Sequence, residues 1–362
     1  MPSTYRRPAL AALAGLASLA LASCVASPAA TPSGPAGSPA ADAPAPTTLT
    51  VVTHDSFNLT EELLTQFEAD SGLDVTFVAP GDAGTLTNQL VLTKDSPLGD
   101  VVFGIDNTFA GRALAEGVIA PYTAEALPAT DAEALKADDS GRLVPIDFGD
   151  VCVNADTAWF EANGKALPAT LDDLAKPEYK DLLVVPNAAS SSPGLSFLVA
   201  TVGAKGEGWV DYWSQLKDNG VLVAKDWTEA YTVQFSGSTG KGPRPLALSY
   251  STSPAFEVVD GAAPPTTALL ETCFRQVEYA GVIEGAANPT GAQEFIEFLL
   301  SPEVQADIPG QMYMYPAVTS TELPAEWVQY APLSGNPFTV PAAEIAEQRD
   351  GWIRTWTSTV VG

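Results

Sequence analysis

From Leu49 to Tyr250, short apolar runs alternate with stretches whose apolar residues recur at helical spacing, and this alternation restricts the chain to an α/β architecture. Residues 49–53 read as a buried strand. Asn58 then caps a helix with Glu61 as its capping-box partner; Leu63, Leu64 and Phe67 form the inner stripe, and Gly72 ends it. Val75, Phe77 and Ala79 alternate as a second strand, followed by a helix near 85–93 and a third strand at 100–104. The pattern resumes with strands at 182–186, 221–224 and 246–250 and helices at 193–202, 209–216 and 227–235. Two segments between these blocks, 144–154 and 271–279, are apolar enough to be long strands. Helices at 291–300, 302–308 and 342–357 close the chain. The expected fold class is α/β with two lobes, built from two mixed sheets that crossing hinge strands join, with helices on both faces.

Ahead of this body, Arg6 and Arg7 precede an apolar run at 9–21 that is too short to span a bilayer. Small residues and Cys24 follow, completing the layout of an export signal. The string Leu21-Ala22-Ser23-Cys24 resembles the lipobox of bacterial lipoproteins. The resemblance implies that residues 1–23 are removed as a signal peptide and that Cys24 carries lipid, anchoring the protein to the outer face of the cell membrane. Each buried acyl CH₂ contributes about 0.8 kcal/mol to such an anchor. Residues 24–47 are Ala, Pro, Ser, Thr and Gly with one acid, Asp42, and read as a flexible tether. The body then divides into a first lobe at 48–147, a second lobe at 148–270, and a return strand with C-terminal helices at 271–362 that belongs mainly to the first lobe.

The chain has 44 Asp and Glu against 17 Lys and Arg, two of which are Arg6 and Arg7. Such a surface repels nucleic acid and favours cations. Beyond Cys24, the cysteines are Cys152 and Cys273, an even pair that in an exported protein suggests a disulfide. Both fall on the two long segments, so a bond between them would staple the hinge. His54 is the single histidine, which argues against histidine-rich zinc sites. A Walker loop, a dinucleotide glycine fingerprint and a serine nucleophile elbow are all missing. A monomeric binder without cofactor or metal is expected rather than an enzyme.

Ligands of open α/β sheets bind outside the carboxyl ends of the strands. The loops that meet this condition lie around His54, Asp82, Asp106, 190–192, Trp227 and 250–253. Aromatic side chains crowd them: Trp227 and Tyr231 in Asp226-Trp227-Thr228-Glu229-Ala230-Tyr231, Tyr250 and Phe256 in 248–256, and Tyr313 and Tyr315 in 308–316. Rings of this kind hold a flat cation by stacking and cation–π attraction, about 0.5–2 kcal/mol per good contact. Trp209, Trp213, Trp352 and Trp356 lie on amphipathic helices and are expected in the core. Ser190-Ser191-Ser192-Pro193-Gly194 precedes a helix, where it is either a plain cap or a site for an anion or hydroxyl.

These strings, with 100–107, 191–195, 314–316 and 341–349, occur in an order similar to that of the periplasmic thiamine-binding proteins of bacterial ABC importers. The resemblance spans nearly the whole body. It implies the two-lobed type II periplasmic binding protein fold, thiamine or its phosphates as ligand, and an ABC permease with its ATPase as partners. Carried over by position, Asp82 lies near the cation, Ser191 and Ser192 meet a phosphate or hydroxyl, Trp227 and Tyr250 line the pocket, and Tyr313 adds a ring. The chain departs from the family at several of these positions. His54 stands where a phenol is common, Phe256 where a tyrosine is, and Tyr313 where a tryptophan is, and no tryptophan occurs at 58–62. Two alternatives stay open: ferric iron held by Tyr250, Tyr313 and Tyr315, and a secreted thiamine-processing enzyme, for which Cys152 or Cys273 would have to be a free thiol.

Overall fold

Every residue of the strand Val144–Asp156 is buried, acids included, and the other strands are arranged about it. The structure, a computed structural model, describes residues 47–362. Its strands are β1 (Thr48–His54), β2 (Asp74–Gly81), β3 (Val101–Asp106), β4 (Val144–Asp156), β5 (Leu183–Pro186), β6 (Leu222–Ala224), β7 (Leu246–Tyr250), β8 (Thr266–Ala268), β9 (Phe274–Val282) and β10 (Tyr315–Pro316). They join in the order β2-β1-β3-β9-β4-β7-β5-β6, with β8 and β10 pairing to β4. The outer ladders, β2·β1·β3 and β7·β5·β6, are parallel, whereas β3·β9, β9·β4 and β4·β7 are antiparallel. The expected two sheets are therefore one continuous sheet. The reason is that β4 and β9 pair with each other from Val144 opposite Ala280 to Val151 opposite Phe274. β3 joins the free edge of β9, and β7 joins the other edge of β4. The lobes thus share their two central strands.

The helix Ser192–Lys205 is buried continuously from Ser192 to Val202, as its apolar sequence requires, and crosses beneath the sheet. Trp213 meets Trp356 edge-on at 5.6 Å and donates its indole N–H to the Thr201 hydroxyl at 2.8 Å. Trp209 and Trp352 are buried with them.

Two local expectations are corrected. The first helix, Glu61–Ser71, has Thr60 at its N-cap, not Asn58. Asp307, from the distant helix Pro302–Gln311, takes the Thr60 N–H and hydroxyl at 2.8 and 2.6 Å, and Asn58 turns to Gln311. The strand expected at 271–279 begins at Phe274, because Leu270–Thr272 forms a 3₁₀ turn. The Thr272 hydroxyl holds that turn by donating to the Leu269 carbonyl and accepting the Val153 N–H. Phe77 is part-exposed because β2 is the sheet edge.

Cys273 sits just before β9, one rung past the Val151–Phe274 pair, and is bonded to Cys152 with their Cα atoms 4.2 Å apart. The bond joins the two strands that the lobes share and leaves neither sulfur as a free thiol. The signal segment, Cys24 and the tether up to residue 46 lie outside the described residues. Among the described residues, no helix is long and apolar enough to cross a membrane.

Candidate ligand-binding cleft

Three irregularities in strand pairing bring the functional side chains to one level. Between β1 and β2 the register shifts ahead of the His54–Gly81 pair, placing Asp82 beside His54. Between β3 and β9 the extra residue is Gly104, at φ +98°; between β4 and β9 it is Ile146. A bulge re-aims the side chains that follow it. Gly104 is also required by packing, since a Cβ there would lie 2.2 Å from Cδ2 of His54.

The strand ends enclose a cavity of about 310 Å³. Its walls are aromatic. Trp227 stacks on Tyr231 at 5.5 Å with the planes 8° apart, and its indole N–H donates to the Ser249 hydroxyl at 2.9 Å, which fixes the ring. Residues Glu229–Gln234 form a π-helical turn, a wider coil than the expected helix. Phe256 and Tyr313 meet edge-on at 4.7 Å, and Tyr313 is held at φ 56°, a conformation that bulky residues rarely adopt. Tyr250 lies on the floor, its hydroxyl 3.1 Å from Nε2 of Gln276, which also donates to Glu278 at 3.0 Å. Burial, with the charge of Glu278, pushes the Tyr250 phenol well up and keeps it neutral.

Acids complete the floor. Asp82 caps the helix Ala83–Leu92 through the Ala83 N–H at 2.7 Å and reaches across to the Ser192 N–H at 3.1 Å. Burial raises its carboxyl above the usual range, against the pull of these donors and of His54. Asp106 lies deeper, fully buried, accepting from Thr108 and from the Ser192 hydroxyl. Burial outweighs those donors and lifts it to about 6. Nδ1 of His54 accepts the Ser56 N–H at 3.1 Å, so the neutral ring carries its proton on Nε2, 3.6 Å from Glu278. Burial works against a charge on His54, but Glu278, Asp82 and Asp55 together raise it. Neither Lys nor Arg is among the lining residues.

Of the residues singled out from sequence, His54, Asp82, Ser192, Trp227, Tyr250, Phe256 and Tyr313 line this one cavity. Ser191 does not; it is fully buried behind Asp82. Tyr315 is also elsewhere: it stacks on Phe148 and donates to the Ala331 carbonyl, on the sheet face away from the cleft. Sequence reasoning missed Glu278, and it placed Tyr231, Ser253, Met312 and Met314 on cleft loops without naming them as site residues; all five line the cavity. Helical spacing, four residues after Trp227, sets Tyr231 on the same side; an acid inside an apolar strand was the signal for Glu278.

The fold defines the class: a two-lobed binding protein of the type II periplasmic fold, with this cavity between the lobes. A family model described as bacterial extracellular solute-binding protein matches residues 96–349, and the chain belongs to that family. The thiamine-binding periplasmic protein of Escherichia coli (strain K12) is 31% identical over 320 residues, covering 86% of this chain and 93% of the relative. Its counterpart in Brucella suis biovar 1 (strain 1330) is 30% identical over 323 residues, covering 87% and 92%. A solved structure of a periplasmic thiamin binding protein, 29% identical, superposes with a TM-score of 0.75 over 86% of this chain and 96% of its own.

Proposed function

We propose that the protein is an exported receptor that captures thiamine between its lobes and delivers it to an ABC permease driven by a cytoplasmic ATPase. The observation that carries the reading is the lining of the cavity. Five aromatic side chains, Trp227, Tyr231, Tyr250, Phe256 and Tyr313, line the cavity with Asp82 and Glu278, and neither Lys nor Arg is among the lining residues. Thiamine has a flat, permanently cationic thiazolium and a second flat ring with hydrogen-bonding edges. Stacking and cation–π attraction hold such rings, and the two carboxylates supply the counter-charge. The names of the relatives support the same ligand. The N-terminus of the helix Ser192–Lys205, the natural seat for a phosphate, is already taken by Asp82. Thiamine phosphates accordingly bind no more tightly than thiamine itself.

Lobe closure would sequester the ligand and create the surface that the permease reads. Acylation of Cys24 would keep the receptor on the outer face of the membrane, and a Cys24→Ser chain would be found in the soluble fraction. The ferric-iron alternative loses one of its three tyrosines, because Tyr315 faces away from the cleft.

Calorimetric titration of the purified full chain with thiamine, its mono- and diphosphate and ferric citrate tests the reading. Saturable one-to-one binding of thiamine is expected, weakened about 10-fold by Trp227→Ala through loss of one stacked face. No saturable heat with thiamine overturns the assignment.

A further inference from the structure

Behind the cleft floor lies a second carboxyl that ligand capture by Trp227, Tyr250 and Asp82 does not use. Asp147 on β4 stands directly opposite Glu278 on β9. The Ile146 bulge sets that register, so both side chains share the sheet face that carries Gln276 and Tyr250 toward the cavity. Glu278 lines the cavity and Asp147 sits behind it with no exposure. Neither Asp147 oxygen has a hydrogen-bond donor.

A buried, fully ionised carboxylate without donors or a counter-ion is among the costliest groups in a protein interior. The groups facing this pair are Gln276 from β9, Tyr250 from β7, His54 from β1, Asp82 from the turn after β2 and Asp106 from β3. None is a permanent cation, and His54 already spends its Nδ1 lone pair on the Ser56 N–H. A proton on Asp147 resolves the conflict: the carboxyl then donates to Glu278 and the pair carries one negative charge rather than two.

We propose that Glu278 and Asp147 form the cation-selecting element of the cleft, holding one shared proton while the cleft is empty and releasing it to solvent when a positively charged ligand settles against Glu278. Charge balances at each stage. The empty floor has one proton for two carboxyls; the loaded floor has the ligand's positive charge in its place. A neutral analogue of the same shape offers no such exchange and is discriminated against. The inference rests on the proposed cationic ligand. The burial that drives the Asp147 carboxyl well upward points the same way.

Titrating the full chain with thiamine at neutral pH, in two buffers of different ionisation enthalpy, counts the protons exchanged. Wild type is expected to release up to about one proton per ligand. In Asp147→Asn the heat of thiamine binding should no longer depend on the buffer, and Glu278→Gln should bind at least about 10-fold more weakly. Infrared spectroscopy of the ligand-free chain supplies an independent readout: a protonated-carboxyl band present in wild type, absent in Asp147→Asn, and bleached by ligand. Binding with equal heats in both buffers, or a release that survives in Asp147→Asn, overturns the exchange. A wild-type chain without the band overturns the shared proton. A chain that shows the band but gives no heat with thiamine instead indicts the ligand assignment.

Discussion

β4 and β9 carry two buried acid sites three rungs apart on opposite faces of the same pair of strands. At one, Asp150 faces Arg275, which grips both of its oxygens while lying 5.5 Å above the Phe148 ring, and the Ser334 N–H adds a third contact at 2.7 Å. At the other, Asp147 faces Glu278, neither Asp147 oxygen meets a donor, and the one basic group near the pair is the His54 ring, 3.6 Å from Glu278. Where the protein completes the charge, the acid is architecture that pins the shared strands to the C-terminal segment. Where the charge is left incomplete beside a cavity, the proposed cationic ligand would supply its complement.

Removing the internal partner should break the first site and have the largest effect. Arg275→Ala leaves Asp150 buried and unpaired, a loss of about 3–5 kcal/mol in urea denaturation. Combining it with Asp150→Asn should restore most of that loss. A cost below about 1 kcal/mol for the single change would mean that the pair is a weak surface bridge, and the contrast would collapse. On the same face, the Cys152–Cys273 bond closes a loop with a sequence separation of 121. Replacing both cysteines with serine should cost about 2–4 kcal/mol, read as a lower urea midpoint that added reductant no longer shifts.

The two sites differ also in how far sequence exposes them. The strands and helices were legible because apolar periods of two and 3.6 separate cleanly, and the shared strands because 144–154 and 271–279 are long and apolar. The cleft loops followed from the strand ends, which is why His54, Asp82, Trp227 and Tyr250 could be named. Glu278 and Asp147 stand out as acids inside apolar strands but could not be placed in the cleft, because which face a strand residue takes depends on register, and one extra residue inverts it. Of the extra residues here, Gly104 is of the kind that marks a bulge, but Ile146, which sets the Asp147–Glu278 register, carries no signal that separates a bulge from a continuous strand. The Asn58 cap failed for a related reason: Thr60 takes that place because its partner Asp307 is supplied by tertiary packing, 247 residues away.

Gly104 gives a sharper test of that geometry at smaller cost. Gly104→Ala meets a left-handed φ and the His54 ring together, so a loss of about 1–3 kcal/mol is expected. Thiamine affinity should fall as well, because His54 can no longer lie beside Glu278. Unchanged affinity would remove His54 from the site while leaving the fold argument intact.

The smallest loss should come from Asp147→Asn, and its sign should depend on pH. Burial and Glu278 hold the native carboxyl protonated well above the ordinary range, whereas in the unfolded chain it ionises near about 3.9. Above that value the native state binds more protons than the unfolded one, so wild-type stability falls as pH rises toward the raised native value. The asparagine variant lacks this slope. At pH 4 the two should differ by less than about 1 kcal/mol, and urea denaturation at successively higher pH should show the variant gaining on wild type. If wild type gains instead, Asp147 is ionised in the folded protein. The unpaired acid would then be stabilised by the surrounding protein, just as Asp150 is by Arg275, and the two faces of the shared strands would no longer differ in kind.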